Sequence, residues 1–238
     1  AAQTMINVNH VKPGKRVVML GSGNVGLIVS YQLMQAGCDV VALIEAAPGI
    51  GGYAVHAAKI RRAGVPIYTK HTIVEAIPGK EGTVAKVVIA KVDDRFQPIP
   101  GTEQTLEADT IAIGAGLKPG LEVSKLTKCE FTFHGAFGGF IPLHNEKMET
   151  SKKGVYVAGD ATGVEEANTA LEEGKIAGVS AAEALGLISS DNAEERRKEI
   201  WNRLTALRMG PFGERRLMEK DQILKEYKEK IGAPVEWN

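Results

Sequence analysis

Cysteine is scarce in this chain of 238 residues: Cys38 and Cys129 stand far apart and outside any C-x-x-C spacing. That excludes a disulfide framework, a zinc site or a dithiol redox pair built from these residues, and it fits a reducing, cytoplasmic setting. The five histidines, His10, His56, His71, His134 and His144, show no paired ligand spacing, so no metal site is expected. Charge of one sign is also lacking, since Lys plus Arg and Asp plus Glu number 29 each. No global field therefore draws the protein to nucleic acid or an anionic membrane, and any anion site has to be local. No uninterrupted apolar run reaches the ~18 residues of a bilayer span. Ala1 to Met5 is neither an initiator methionine nor a basic-then-apolar secretion signal, which leads us to expect a processed or truncated chain.

With 44% hydrophobic residues the chain can bury one large core or two modest ones. Residues 16 to 20, apolar from Val17 onward, read as a buried strand. Val25, Ile28, Val29, Leu33 and Ala36 then recur at helical spacing up to Gly37. A second strand is expected over 39–44 and a glycine-rich loop over 48–52. A helix from Tyr53 to Ala63, closed by Gly64, and a short strand over 65–68 follow. This alternation predicts a Rossmann-like α/β fold with a parallel sheet. The runs 71–77 and 83–92, separated by a Pro-Gly turn, predict an antiparallel crossover hairpin, and 106–113 predicts a return strand ending at Gly114. A domain boundary is placed near 118. Beyond it, a loop-rich stretch over 135–148, a strand over 154–158 and a helix from about Glu165 to Leu185 predict a second, partial α/β domain over 119–190.

Residues 191–238 are dense in charge, with Ile200, Leu204 and Leu207, then Leu224, Tyr227 and Ile231, as narrow apolar stripes. That pattern predicts a helical extension. A capping box at Asp191 and Glu194 starts it, and Gly232 with Pro234 stops it. These helices either dock another subunit or pack on their own domain.

The chemistry concentrates at Gly21-Ser-Gly-Asn-Val-Gly26, which lies between the first strand and the first helix. Gly21 allows a tight bend, Gly23 lets backbone approach a diphosphate, and Gly26 allows close contact of helix and strand. The amides of Ser22, Asn24 and Val25 and the helix dipole then meet the phosphate charge. Glu45, at the end of the second strand, is placed to accept hydrogen bonds from both ribose hydroxyls and to repel a 2′-phosphate. With no arginine in Ala46-Ala47-Pro48, NAD is expected rather than NADP. Gly159-Asp160 closes another apolar run, where Asp160 either holds a polyol hydroxyl or caps a loop. Arg61 and Arg62 are read as a solvated helix face, with contact to an adenine phosphate as the alternative. Gly135 to Pro142 is either a loop over a cofactor or a chain reversal, and both cysteines are read as buried and inert.

In order, Gly21 to Gly26, Ile111 to Pro119 with Gly114 in its turn, and Tyr156 to Asp160 resemble three marks of the two-dinucleotide-domain FAD/NAD(P) oxidoreductases, the pyridine nucleotide-disulfide oxidoreductase superfamily. These are the NAD fingerprint, the return strand and the flavin aspartate motif. The resemblance covers about residues 12–188. Within it, Gly159 to Gly163 and Ala167 to Gly178 resemble the branch with flavin subunits of amino-acid and amine dehydrogenases. It implies an NAD-binding domain over 12–118 and hydride exchange between NAD(H) and FAD. Gly159 and Asp160 would lie at the flavin ribityl or pyrophosphate region, and Ala167, Thr169 and Ala170 would lie against the flavin. No catalytic side chain is expected in such a scheme. Members of the superfamily begin with another G-x-G-x-x-G segment that holds the ADP half of FAD. Here a truncated fragment, or a subunit completed by a second chain, is therefore expected. Two other readings remain at this point: a nucleotide-binding module without its own catalysis, and a scaffold for a partner.

Overall fold

The computed structural model describes residues 1–210 and 213–232, with Glu81 described by its backbone alone. Two compact units divide the chain, Ala1–Gly116 and Leu117–Asn238. The first holds α1 (Ala2–Asn7), β1 (Arg16–Leu20), α2 (Asn24–Gln35), β2 (Asp39–Glu45), α3 (Ala54–Arg62), β3 (Ile67–Thr69), β4 (His71–Pro78), β5 (Val84–Lys91), β6 (Gln104–Glu107) and β7 (Thr110–Ile113).

Strands β3-β2-β1-β7 form a parallel sheet in that order, and β4-β5-β6 form an antiparallel one. The run Val17-Val-Met-Leu20 is apolar throughout because β1 is covered on both faces. Val17 and Met19 enter a core with Leu27, Leu33, Leu43 and Ile60. Val18 enters a second with Ala42, Ile44, Val87 and Ile89. The alternation of the strand thus welds α2 and α3 to one face and the antiparallel crossover to the other.

The expected return strand over 106–113 is two strands. β6 pairs with β5, whereas β7 pairs with β1, and the chain changes sheets at Ala108-Asp109. Asp109 fixes that switch: its carboxylate accepts from the amides of Lys15 (3.0 Å) and Arg16 (3.1 Å) at the start of β1. Its carboxyl is held below the usual range. Burial opposes ionisation there, but hydrogen bonds from Thr110, Arg16 and Lys15 outweigh it. Glu107, Asp109 and Thr110 interrupt the apolar residues of 106–113, but nothing local shows that Asp109 answers to the start of β1.

The second unit holds α4 (Glu122–Leu126), β8 (Phe131–His134), β9 (Gly139–Pro142), α5 (Ala167–Ala184), α6 (Ser190–Arg208) and α7 (Glu214–Ile231). β8 and β9 form a hairpin, so the start of the expected loop-rich stretch is in part strand and Gly135 to Pro142 contains a chain reversal, turning through Gly138 (φ 83°) and Gly139 (φ 139°). The strand expected over 154–158 reduces to one bridge, Tyr156 with Glu149. An apolar run becomes a strand only where a neighbour offers a ladder, and residues 148–150 offer little more than that bridge.

α6 starts at an N-cap, Ser189, whose Oγ accepts from the Asn192 amide (3.4 Å), so the expected Asp191/Glu194 box is not the cap. Ala193, Ile200 and Leu204 are buried on this helix, while Leu207 lies outside the stripe at 42% exposure. Ile200 and Leu204 pack with Met148 and Ile176, and Ile223 of α7 packs with Phe137, Ile141 and Leu143. The C-terminal helices therefore pack on their own unit. Gly232 ends α7, while Pro234, expected with it as the stop, lies outside the described residues.

Candidate functional site

Strand β1 delivers the chain to the Gly21–Gly26 turn, and α2 leaves it with Gly23 as N-cap. Gly21 has φ +103°, and its amide donates to Ile44 O (2.7 Å) on the neighbouring strand. A Cβ on Gly21 would stand 2.5 Å from Gly114 O, and one on Gly114 would stand 3.0 Å from Gly26 Cα. A Cβ on Gly26 would overlap the Gly21 carbonyl oxygen. Gly21, Gly26 and Gly114 therefore let two turns and a helix touch through bare backbone. Gly23 differs: nothing lies within 4 Å of a Cβ built on it, so the turn is open above that residue. The first-turn amides of α2 have no partner within the helix, and its dipole adds partial positive charge there.

Ser22 and Asn24 turn out to organise the loop itself. Ser22 is fully buried; its amide (2.9 Å) and Oγ (2.5 Å) both donate to Glu45 Oε2, and its Oγ accepts from the Gly51 amide (3.0 Å). The Gly52 amide donates to Ser22 O (2.8 Å), and the Tyr53 amide to Asn24 Oδ1 (2.8 Å). The glycine-rich segment before α3 is laced in this way to the β1–α2 turn. A Cβ on Gly52 would meet the Asn24 amide at 2.8 Å, which explains its glycine. Glu45 also accepts from the Ala47 amide through Oε1 (2.8 Å). A carboxylate has about four acceptor positions. With Ser22 on two and Ala47 on a third, room is left for one sugar hydroxyl, where the sequence suggested two.

In the second unit, Gly159 (φ +67°) opens a 3₁₀ turn, Gly159–Thr162, and its amide donates to Glu173 Oε2 (2.9 Å). Asp160 is exposed, and among the described residues nothing donates to its carboxylate. Ala167 and Asn168 at the start of α5 are exposed as well. Thr169 is buried, its hydroxyl donating to Glu166 O (2.7 Å) and its amide to Asn168 Oδ1 (2.9 Å). Cys38 and Cys129 are free and buried, and Arg61 and Arg62 are exposed. Among the described residues no group of three or more His, Cys, Asp and Glu could hold a metal. Nor is any helix there long and apolar enough to cross a membrane.

Sequence reasoning missed the buried charges beneath Asp160: Glu165 and Glu173 face Arg208 and Lys220. Burial opposes ionising Glu173, but Lys220 and Arg208 hold its carboxyl down at about 2. Burial pushes the Lys220 ammonium down, with Glu173 and Glu165 offsetting part of it. His144 lies close by with its pKa lowered to about 4, by burial and then by Lys220, so its imidazole is neutral at pH 7. The available signal was Arg197 and Arg208 falling in register with Ile200 and Leu204 on α6, charges set in an apolar stripe.

The sequence profile of the pyridine nucleotide-disulphide oxidoreductase family matches residues 3–174, more than half of the chain. The chain belongs to this family. Members of the pyridine nucleotide-disulphide oxidoreductase family are flavin-dependent oxidoreductases that use FAD and NAD(P). An opine oxidase subunit of Rhizobium meliloti is 23% identical over 207 residues, covering 84% of this chain and 39% of that protein. The hydrogen cyanide synthase subunit HcnB of Pseudomonas aeruginosa is 25% identical over 236 residues, covering 92% of this chain and 50% of that protein. Among solved structures, T. acidophilum thioredoxin reductase superposes with a TM-score of 0.59 at 25% identity, over 70% of this chain and 51% of that one. The chain thus spans about half or less of the length of these relatives, and its fold is of the thioredoxin reductase type.

Proposed function

We propose that this chain is a fragment or subunit of an FAD-dependent NAD(H) oxidoreductase that exchanges hydride between the two cofactors. Residues 12–118 are its NAD-binding domain, 119–190 its share of the FAD-binding domain, and 191–238 a helical extension of the latter. The observation that carries this reading is the open face above Gly23, at the N-terminus of α2 and beside the end of β2. A diphosphate fits that donor set, since bare amides and the helix dipole need no lysine to hold it. Glu45 would take one ribose hydroxyl through Oε1, and its charge disfavours a 2′-phosphate, so NAD is favoured over NADP.

Asp160 has the chemistry to accept from a polyol hydroxyl, and the exposed start of α5 favours negative charge close by. FAD, when bound, supplies the two-electron chemistry. The protein's own residues bind, orient and set the local field. The opine oxidase and hydrogen cyanide synthase relatives are subunits, which supports a second chain that completes the flavin site. Two buried, free thiols support a reducing, cytoplasmic location.

The single bridge on the strand leading to Asp160 favours a second reading, in which this chain alone binds nucleotide without turning it over. Spectroscopy of the purified chain separates the two. A flavin absorbance band that NADH bleaches supports the oxidoreductase, whereas a colourless protein whose melting temperature NAD raises supports the binding module. A melting temperature that neither nucleotide moves overturns both.

A further inference from the structure

The turn that carries Asp160 is held by side chains with no assigned task. Gly159 N and Thr162 Oγ1 both donate to Glu173 Oε2, at 2.9 and 2.6 Å. From α7, Lys220 Nζ donates to Thr162 O (2.8 Å), Thr162 Oγ1 (2.7 Å) and Glu173 Oε1 (2.8 Å). From α6, Arg208 Nη2 donates to the same Glu173 oxygen (2.5 Å), and its Nε to Glu165 Oε2 (3.0 Å). All three ammonium protons thus end on one turn and its anchor. Thr162, Glu173, Arg208 and Lys220 are each no more than 4% exposed.

Burying such charges seldom stabilises a fold more than apolar packing of the same volume would, so its benefit is sought in geometry. One residue along from the anchored Gly159, Asp160 projects into solvent without a partner among the described residues. We infer that Lys220 and Glu173 are positioning residues: they lock the Gly159–Thr162 turn so that the Asp160 carboxylate meets a polyol-bearing cofactor in one orientation. A loose turn would have to be ordered on binding, and this one is ordered beforehand. The inference rests on the flavin reading above and adds that the C-terminal helices belong to the cofactor site.

A double-mutant cycle tests it. The full chain is titrated against FAD, with quenching of flavin fluorescence as the readout, as wild type, Lys220→Met, Asp160→Asn and the double variant. Acting through Asp160, Lys220→Met weakens FAD binding roughly tenfold in the wild-type background and less than about twofold beside Asp160→Asn. Equal weakening in both backgrounds, or none in either, overturns the inference. Amide exchange of the peptide 157–165, followed by mass spectrometry without ligand, should rise in Lys220→Met while 16–45 stays unchanged; no rise also overturns it. A wild-type chain that leaves FAD fluorescence unquenched defeats the flavin reading and the positioning role with it, while the exchange result still reports whether Lys220 holds the turn. Should Lys220→Met fail to fold, the charge-balanced Glu173→Gln/Lys220→Met pair replaces it in the cycle.

Discussion

Substituting Gly23 by alanine separates folding from binding in the β1–α2 turn. Gly23 has φ −63° and ψ 171°, a conformation open to any residue, and its added methyl meets no atom within 4 Å. Two small effects oppose each other. Alanine is a poorer N-cap than glycine, and it lowers the entropy of the unfolded chain by about 0.4–1 kcal/mol. The expected net change in stability is therefore within about 0.5 kcal/mol of zero. Binding should behave otherwise, because the methyl fills the space that a diphosphate needs. Losing one hydrogen bond to a charged group costs about 1.5–3 kcal/mol, which is roughly 10- to 150-fold in affinity. Thermal unfolding without ligand and calorimetry with NAD measure the two halves independently. The matching control is Gly26→Ala, whose methyl overlaps the Gly21 carbonyl and should cost about 1–3 kcal/mol of stability. A Gly23→Ala protein that melts lower yet binds NAD as before would refute the assignment of that space.

Three further outcomes are expected. Glu45→Ala leaves the buried Ser22 hydroxyl and amide without their acceptor, so it should lose about 1–3 kcal/mol of stability. It should also narrow the ratio of NADP to NAD dissociation constants. Asp109→Ala strips the acceptor from the Lys15 and Arg16 amides and should destabilise the chain by about 1–3 kcal/mol in urea titrations, through the first unit. Glu173 has a folded pKa of about 2, below its usual 4.5, so its contribution is complete above pH 4.5 and disappears as pH falls toward 2. Up to about 3 kcal/mol is at stake, and urea midpoints across that window should show a loss that Glu173→Gln abolishes.

Much of the first unit was legible because its signals are local. Both faces of β1 and β2 are covered, so they read as unbroken apolar runs, and Gly37 and Gly64 end their helices with positive φ. Gly21 and Gly26 were legible for the same reason, each having one steric task. What escaped depended on distant partners. The change of sheets at Asp109 needs the start of β1, some 90 residues earlier in sequence. The strand before Asp160 needed a neighbour that residues 148–150 scarcely provide. Ser22 read as a phosphate contact because nothing local shows Gly51 and Glu45 converging on its hydroxyl. The Glu173–Lys220 pair joins α5 to α7 across a separation of 47 residues, and in sequence Lys220 is one charge among many.

The central claim is that the turn from Gly21 to Gly26 holds the diphosphate of NAD, and a crystal of this chain grown with NAD tests it most directly. The diphosphate is expected over Gly23 at the N-terminus of α2, with an adenosine ribose hydroxyl on Glu45 Oε1. Density for the nucleotide elsewhere, or only solvent over Gly23 at saturating NAD, would contradict it.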